Sequence, residues 1–120
     1  MLATEHSGFG PGRGSHVSLS PFDMHNTLVA AGPDFKAGIT NSTPSGNVDI
    51  APTVMHLLRI PVVTPMDGRV LAEALKESAP AVKSPTTQHL EAKAIGWRQY
   101  LDVSAANGVE YCDEGNGRQE

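Results

Sequence analysis

Five histidines are the residues of this sequence whose chemistry could support a metal site: His6, His16, His25, His56 and His89. His16 differs from the others because it lies in a glycine-rich loop, Gly12-Arg13-Gly14-Ser15-His16, ahead of the first apolar run. Neutral imidazole is a good zinc ligand, and loops at strand ends often carry the sites of α/β proteins. The alternative is a structural loop histidine, and the spacing alone leaves both roles open. For His56, within a predicted helix, and His89, beyond a predicted linker, we predict solvated or structural roles.

Charge and composition exclude two classes of partner. Thirteen acidic and nine basic residues give a net charge of −4, and the basic residues are scattered singly. This pattern predicts neither a nucleic-acid surface nor a polybasic membrane patch. No apolar run approaches the ~20 residues that span a bilayer. A single cysteine, Cys112, excludes an internal disulfide, and we expect it to be a small packed residue.

The first two thirds of the chain predict short elements separated by glycine and proline. The apolar run Asn26–Ala31, closed by a Gly-Pro turn, is typical of a strand buried on both faces. A helix is predicted from a cap at Asp49 to about Leu58, because apolar residues recur there at helical spacing: Ile50, Val54, Leu57 and Leu58. A second short helix is predicted over residues 67–75.

The tail predicts a linker followed by a hairpin. Residues 78–88 are rich in serine, proline and threonine. Apolar and polar residues then alternate from Trp97, and the alternation resumes at Val109 after Asn107-Gly108. An Asn-Gly pair between two alternating runs is a strong hairpin signal. We therefore predict three parts: a segment over residues 1–77, a linker over 78–92 and a C-terminal β-hairpin over 93–117.

Five short segments occur in an order that suggests a family: Gly14-Ser15-His16, Asp23–Thr27, Gly32–Lys36, Asn47–Thr53 and Met66–Arg69. Together they resemble the end of the catalytic domain in the nucleotide pyrophosphatase/phosphodiesterase and sulfatase branches of the alkaline phosphatase superfamily. The Gly32–Lys36 segment favours the phosphodiesterase branch, and a sulfatase parent is the subordinate alternative.

The resemblance implies a fold, a reaction and one metal ligand. The fold would be the C-terminal portion of a parallel-sheet α/β domain with helices on both faces, ending in the β-hairpin. The family hydrolyses phosphoesters with two divalent metals, usually zinc, beside a serine or threonine nucleophile. Its last metal ligand maps onto His16, whereas Asp23, His25 and Asp34 match positions that look structural in the family.

The resemblance also implies that this chain is inactive alone. The family takes its nucleophile and remaining ligands from segments upstream of those matched here, so the chain would hold at most one partial zinc site. Val17 stands where the family has glycine after the ligand, and Arg59 stands where glycine usually follows the Leu-Leu pair. We interpret the chain as a fragment or a truncated, decaying gene product. The alternatives are a non-catalytic interaction fragment, self-associating through an exposed sheet edge at Asn26–Ala31, and a remnant without a selected role.

Overall fold

The computed structural model describes residues 18–77 and 84–119. These residues divide into two compact units that alternate along the chain. Unit 1 contains the described residues up to Leu28, Thr87–Ser104 and the described residues from Cys112 onward; unit 2 contains Val29–Thr86 and Ala105–Tyr111. Among the described residues, no helix is long and apolar enough to cross a membrane.

Three antiparallel strands form one sheet in the order β1-β2-β3: β1 (Thr86–Ala94), β2 (Trp97–Ala106) and β3 (Val109–Gln119). Two-residue turns connect them, Ile95-Gly96 and Asn107-Gly108. All four turn residues have positive φ, between 50° and 87°. This is the pattern of type I′ turns, whose twist matches that of the flanking strands. The hairpin predicted around Asn107-Gly108 is thus confirmed as β2–β3, and β1 begins inside the range predicted as linker.

The predicted parallel-sheet α/β fold is wrong. Parallel neighbours need crossover connections of about a dozen residues, whereas two-residue turns force each strand to run back along the previous one. The run Asn26–Ala31, predicted as a strand buried on both faces, forms no strand and is exposed throughout, with Val29 82% exposed. The apolar run does not become a strand because no strand of the sheet pairs with it.

The described part of unit 1 begins with one turn of helix beside the last strand. Helix α1 (Pro21–Met24) starts at Ser20, whose hydroxyl accepts a hydrogen bond from the Phe22 amide at 3.3 Å. Just before it, the Leu19 carbonyl accepts a hydrogen bond from the Gly115 amide of β3 at 2.8 Å. A side chain at position 115 would place its Cβ 3.0 Å from the Tyr100 carbonyl, so glycine permits this close approach. Residues 18–24 are therefore attached to one edge of the sheet.

Unit 2 is built around one two-turn helix. A 3-10 turn (Asn47–Asp49) leads directly into helix α2 (Ile50–Leu57), which confirms the helix predicted between Asp49 and Leu58. The second predicted helix is reduced to a 3-10 turn, Ala72–Ala74. Leu71, Ala72 and Leu75 around that turn are buried, with Ala106 and Tyr111. The core of unit 2 is small and includes residues of the Ala72–Ala74 3-10 turn and its neighbours.

The apolar stripe that predicts α2 is not its buried side. Val54 is 46% exposed and Leu58 64% exposed, whereas Pro52 and Thr53 are buried. The Thr53 hydroxyl accepts a hydrogen bond from the Leu71 amide at 3.0 Å. A buried amide without a partner is costly, so this bond fixes which side of the helix faces inward. An apolar face of α2 remains exposed to solvent.

Helix α2 ends in a Schellman motif that has arginine in the glycine position. The Ile60 amide donates to the Met55 carbonyl at 2.9 Å, and the Arg59 amide donates to the His56 carbonyl at 3.1 Å. Arg59 has φ 55°, the left-handed conformation that glycine adopts without strain. Arg59 stands where the sequence analysis expects glycine, and its backbone is left-handed, which is the conformation that glycine adopts without strain.

Replacing Arg59 with glycine is expected to stabilise the chain by about 0.5 to 1 kcal/mol, because the left-handed conformation costs non-glycine residues roughly 1 to 2 kcal/mol and glycine's extra unfolded-state freedom offsets part of that. Urea unfolding measures the change. Arg59→Ala is the control, since it removes the side chain and keeps the strain. Equal stabilisation by both substitutions would show that the arginine side chain, not the backbone, is responsible.

Candidate functional site

The predicted zinc ligand His16 and its neighbour Val17 lie outside the described residues. His25 and His56 are exposed. Within residues 18–77 and 84–119, no three or more His, Cys, Asp or Glu side chains are placed to hold a metal ion. Cys112, expected to be packed, is exposed. The polar side chains that do contact one another in the described part of the chain are other residues.

The most deeply buried polar side chain is Asp49, which is 0% exposed. Its carboxylate accepts hydrogen bonds from the Gly46 amide at 2.9 Å and the Arg69 amide at 2.8 Å. The Tyr111 hydroxyl donates to the same carboxylate at 2.9 Å. Asp49 was predicted to cap α2, but it makes no cap hydrogen bond to that helix. It instead joins the 3-10 turn before α2 to a segment 20 residues later.

Arg69 lies beside Asp49 and is nearly as buried, at 8% exposure. Its guanidinium forms two parallel hydrogen bonds with the Glu73 carboxylate, at 2.9 and 2.7 Å. It also donates to the Tyr111 hydroxyl at 3.0 Å and to the Pro44 carbonyl at 2.8 Å. Two-point pairing with a carboxylate is the strongest geometry open to arginine. We call Asp49, Arg69, Glu73 and Tyr111 the Asp49–Arg69 cluster.

Protonation in the cluster is fixed by its own contacts. Donating to Glu73 raises the pKa of Arg69, so the guanidinium stays charged. Burial raises the pKa of Glu73, but the hydrogen bonds from Arg69 and its own backbone, with the charges of Arg69 and Lys36, outweigh this and leave that pKa below its usual value. Burial and the hydrogen bond to Asp49 raise the pKa of Tyr111 to about 12. Arg69, Glu73 and Tyr111 are therefore each held in one protonation state near neutral pH, which suits structural rather than acid–base work.

The cluster and its neighbours bring together three of the segments singled out in the sequence. Asp49 belongs to Asn47–Thr53 and Arg69 to Met66–Arg69, and their hydrogen bond joins the two. Gly32–Lys36 pairs with the residues after Arg69 through an antiparallel bridge between Phe35 and Leu75. Sequence reasoning missed Glu73 and Tyr111. Glu73 had a signal, because it follows Arg69 at the i+4 spacing of helical ion pairs.

An open cavity of about 570 Å³ lies in unit 2 near the end of α2. Its lining mixes apolar residues with charges of both signs: Pro33, Asp34, Met55, His56, Leu57, Arg59, Ile60, Pro61, Leu75, Lys76 and Glu77. The Lys76 ammonium is bonded to the Pro33 carbonyl at 2.6 Å. The described residues that line the cavity include no serine, threonine or cysteine.

A second polar group lies on unit 1, on the exposed surface of the sheet. His89 of β1 contacts Asp102 of β2 through Nδ1 at 2.5 Å and faces Glu91 through Nε2 at 3.5 Å. Its ring stacks on Tyr100 with 5.4 Å between centroids. This agrees with the solvated or structural role predicted for His89. Two carboxylates beside one exposed imidazole stabilise its protonated form.

The pKa of His89 is expected to lie above its ordinary 6.5, because the hydrogen bond to Asp102, and then that to Glu91, favour the charged ring. A raised folded-state pKa means that the stabilisation is complete below 6.5 and is lost as pH rises through the folded value. NMR titration of the ring proton measures it. Asp102→Asn should lower this pKa, because it removes the charge that accepts the hydrogen bond from the ring. An unchanged His89 pKa in the variant would contradict the assignment.

Comparison with known proteins adds no relative to these observations: no protein-family model matches the chain, and neither a curated protein nor a solved structure matches it.

Proposed function

We propose that this chain is a non-catalytic part of a metal-dependent phosphoester hydrolase of the phosphodiester or nucleotide pyrophosphate class, and that it hydrolyses nothing alone. A sulfatase is the subordinate form of the same proposal. The observation that carries it is the hydrogen bond from the Arg69 amide to Asp49, because it joins two of the family-like segments, Asn47–Thr53 and Met66–Arg69, at a fully buried carboxylate. Segments that resemble one family in order also pack on one another.

The proposal rests on these local contacts and not on a parallel sheet. The Asp49 carboxylate accepts hydrogen bonds from three donors, and Gly68 lies so close to the Val48 and Asp49 backbone that a side chain would not fit. A buried polar network that is fully satisfied favours one specific packing arrangement. The exposed apolar side of α2 supports the same idea. A part of a larger catalytic domain is expected to expose the surface that the rest of the domain would cover.

Zinc would be held in the whole enzyme, with His16 as one ligand. A catalytic zinc needs about three protein ligands, and two zinc ions stabilise the attacking and leaving oxygens of phosphoryl transfer. Among residues 18–77 and 84–119, no group of three or more His, Cys, Asp or Glu side chains is placed to hold a metal ion. Any zinc bound by this chain should therefore be weakly held, involve His16 and lack activity.

Two measurements on the full chain test the proposal. A chromogenic phosphodiester, bis(p-nitrophenyl) phosphate, should not be hydrolysed with added zinc; clear turnover would overturn the non-catalytic role. Zinc uptake, measured by competition with a colorimetric chelator, should fall in His16→Ala and be unchanged in His56→Ala, an exposed histidine on α2. Equal uptake by both variants would remove His16 as a ligand and with it the link to the metal-dependent family.

The exposed face of α2 favours a second candidate, a non-catalytic interaction segment with no hydrolase parent. Ile50, Val54 and Leu58 lie at i, i+4 and i+8 and are all at least 45% exposed. Val54→Lys should reduce binding of a hydrophobic fluorescent dye without reducing helix content, because the side chain is not in the core. If that result came with zinc uptake independent of His16, the interaction segment would be the better reading. Noncooperative unfolding would instead favour a remnant without a selected role.

A further inference from the structure

Strand β1 forms an open edge of the sheet. The strand order places it outermost, beside β2 only, and all nine of its residues are exposed. It contains no proline that would block pairing. The opposite edge differs, because the Gly115 amide of β3 is bonded to the Leu19 carbonyl. Among the described residues, no second strand pairs with the outer side of β1, so the outward backbone groups of Thr87, His89 and Glu91 lie at the sheet edge.

The register of the β1–β2 hairpin shows which backbone groups point outward. A two-residue turn makes Ala94 and Trp97, which flank it, a hydrogen-bonded pair, and hydrogen-bonded pairs then recur at every second residue. Even-numbered residues of β1 therefore bond to β2, and odd-numbered residues direct their N–H and C=O groups outward. The side-chain contacts agree, because Thr87 with Ser104 and His89 with Asp102 touch across the strands, as closely spaced non-hydrogen-bonded pairs do.

We propose that β1 pairs with β1 of a second copy, antiparallel and centred on Leu90, to form a continuous six-stranded sheet. In this register all nine residues of each strand are paired, and the outward-pointing groups of the odd-numbered residues meet one another. His89 lies opposite Glu91 of the second copy, and the symmetry repeats that pair on the other side of Leu90. Lys93 lies opposite Thr87, so no like charges face each other.

Charge disfavours one shifted register, and the number of paired residues disfavours another. Shifting the centre to Glu91 would place two glutamates directly opposite, which is destabilising. Centring on Ala92 would pair glutamate with lysine but would leave only about five residues of each strand in the ladder. The self-complementary order of His89 and Glu91 about Leu90 is what an isologous dimer requires, and it identifies a second copy of this chain as the partner.

Site-specific cross-linking tests the register on the full chain. In a Cys112→Ser background, Leu90→Cys puts two thiols face to face at the symmetry axis, at a non-hydrogen-bonded pair where Cβ atoms come within about 4.5 to 5.5 Å. Mild oxidation should convert most of this variant to disulfide-linked dimer. Gln88→Cys in the same background is the matched control. Position 88 of one copy lies opposite position 92 of the other, so the two introduced thiols are four residues apart and should stay unlinked. Equal cross-linking of both variants, or none in Leu90→Cys, would overturn the register.

Sedimentation velocity of the unmodified chain tests the dimer itself. We expect a monomer–dimer equilibrium that shifts with concentration and that Glu91→Pro abolishes, because the amide at position 91 points outward and its loss leaves the β1–β2 ladder intact. Glu91→Gln keeps that amide and should weaken the dimer only in part. Circular dichroism checks that each variant keeps the sheet. If a variant does not fold, the sedimentation of the unmodified chain alone tests the dimer. A monomer up to about 1 mM would overturn the proposal, independently of any result on zinc or hydrolysis.

Discussion

Replacing Arg69 with methionine is expected to lower the free energy of unfolding by about 3 to 5 kcal/mol. Removing one member of a buried ion pair leaves the other buried without its partner, which is the main cost. Glu73 would lose both guanidinium bonds, and the Pro44 carbonyl would lose its donor. Methionine has comparable length and fills part of the space, so lost charge rather than lost volume dominates. Urea unfolding followed by circular dichroism measures the change.

Two matched glutamate substitutions separate a buried pair from an exposed one. Glu73→Gln should cost about 1.5 to 3 kcal/mol, because it weakens charge-assisted hydrogen bonds in a buried place. Glu91→Gln removes the same charge near Arg98 on the exposed sheet surface, at 3.8 Å, and should cost under about 1 kcal/mol in the monomer. Equal effects would mean that the Asp49–Arg69 cluster contributes no more than a surface pair.

The pH dependence of the cluster follows from Glu73. Its pKa is lower in the folded chain than its ordinary 4.5, so its contribution is complete above that pH and is lost as pH falls through the folded value. Glu73→Gln should therefore remove part of the loss of stability on acidification. This sign is opposite to that for His89, whose contribution is lost as pH rises.

Helix α2 shows what periodicity predicts and what it does not. The spacing of its apolar residues fixes the existence and bounds of the helix to within a residue or two. Which side is buried depends instead on the bond between Thr53 and the Leu71 amide. That partner lies 18 residues away, and no local pattern announces it. Amphipathicity therefore predicts the helix but does not show which of its sides is buried.

Only two of the three strands of the sheet were predicted from the sequence. Turn chemistry at Asn107-Gly108 predicts β2–β3, because that dipeptide adopts the required left-handed backbone readily. The other turn, Ile95-Gly96, is built on a β-branched residue that rarely takes φ 51°. β1 carries alternating Thr87, His89, Glu91 and Lys93, but its few apolar residues make it read as a polar linker. Because Ile95 is an unusual residue for this turn, the sequence does not predict the β1–β2 hairpin.

The Asp49–Arg69 cluster was not predicted from the sequence. Asn47–Thr53 and Met66–Arg69 were singled out only for their order along the chain, and nothing in their spacing joins Asp49 to Arg69. Tyr111, which donates to that carboxylate, comes from the predicted hairpin, 62 residues away. Long-range polar pairing depends on how the chain packs, and packing is the step that sequence patterns describe least well.

Replacing Gly68 with alanine is expected to destabilise unit 2 by about 3 kcal/mol, since the close approach of two backbones leaves no room for a side chain. A Cβ at position 68 would lie 2.0 Å from the Val48 carbonyl oxygen and 2.8 Å from the Asp49 nitrogen. These are backbone atoms, so no side-chain rotation can relieve the clash. The 3-10 turn would have to shift and carry the Asp49 carboxylate away from the Arg69 amide.

Gly38→Ala is the control for this prediction. Nothing lies within 4 Å of a Cβ at position 38, and its φ of +67° limits the cost to roughly 1 kcal/mol of backbone strain. Position 38 has left-handed backbone strain that position 68 lacks, so any greater loss at position 68 must come from the steric clash. Because the clash acts by displacing Asp49, Gly68→Ala and Arg69→Met disturb the same cluster, and their combined loss should be smaller than the sum of the two. Strict additivity would show that Gly68 supports unit 2 independently of the Asp49–Arg69 cluster.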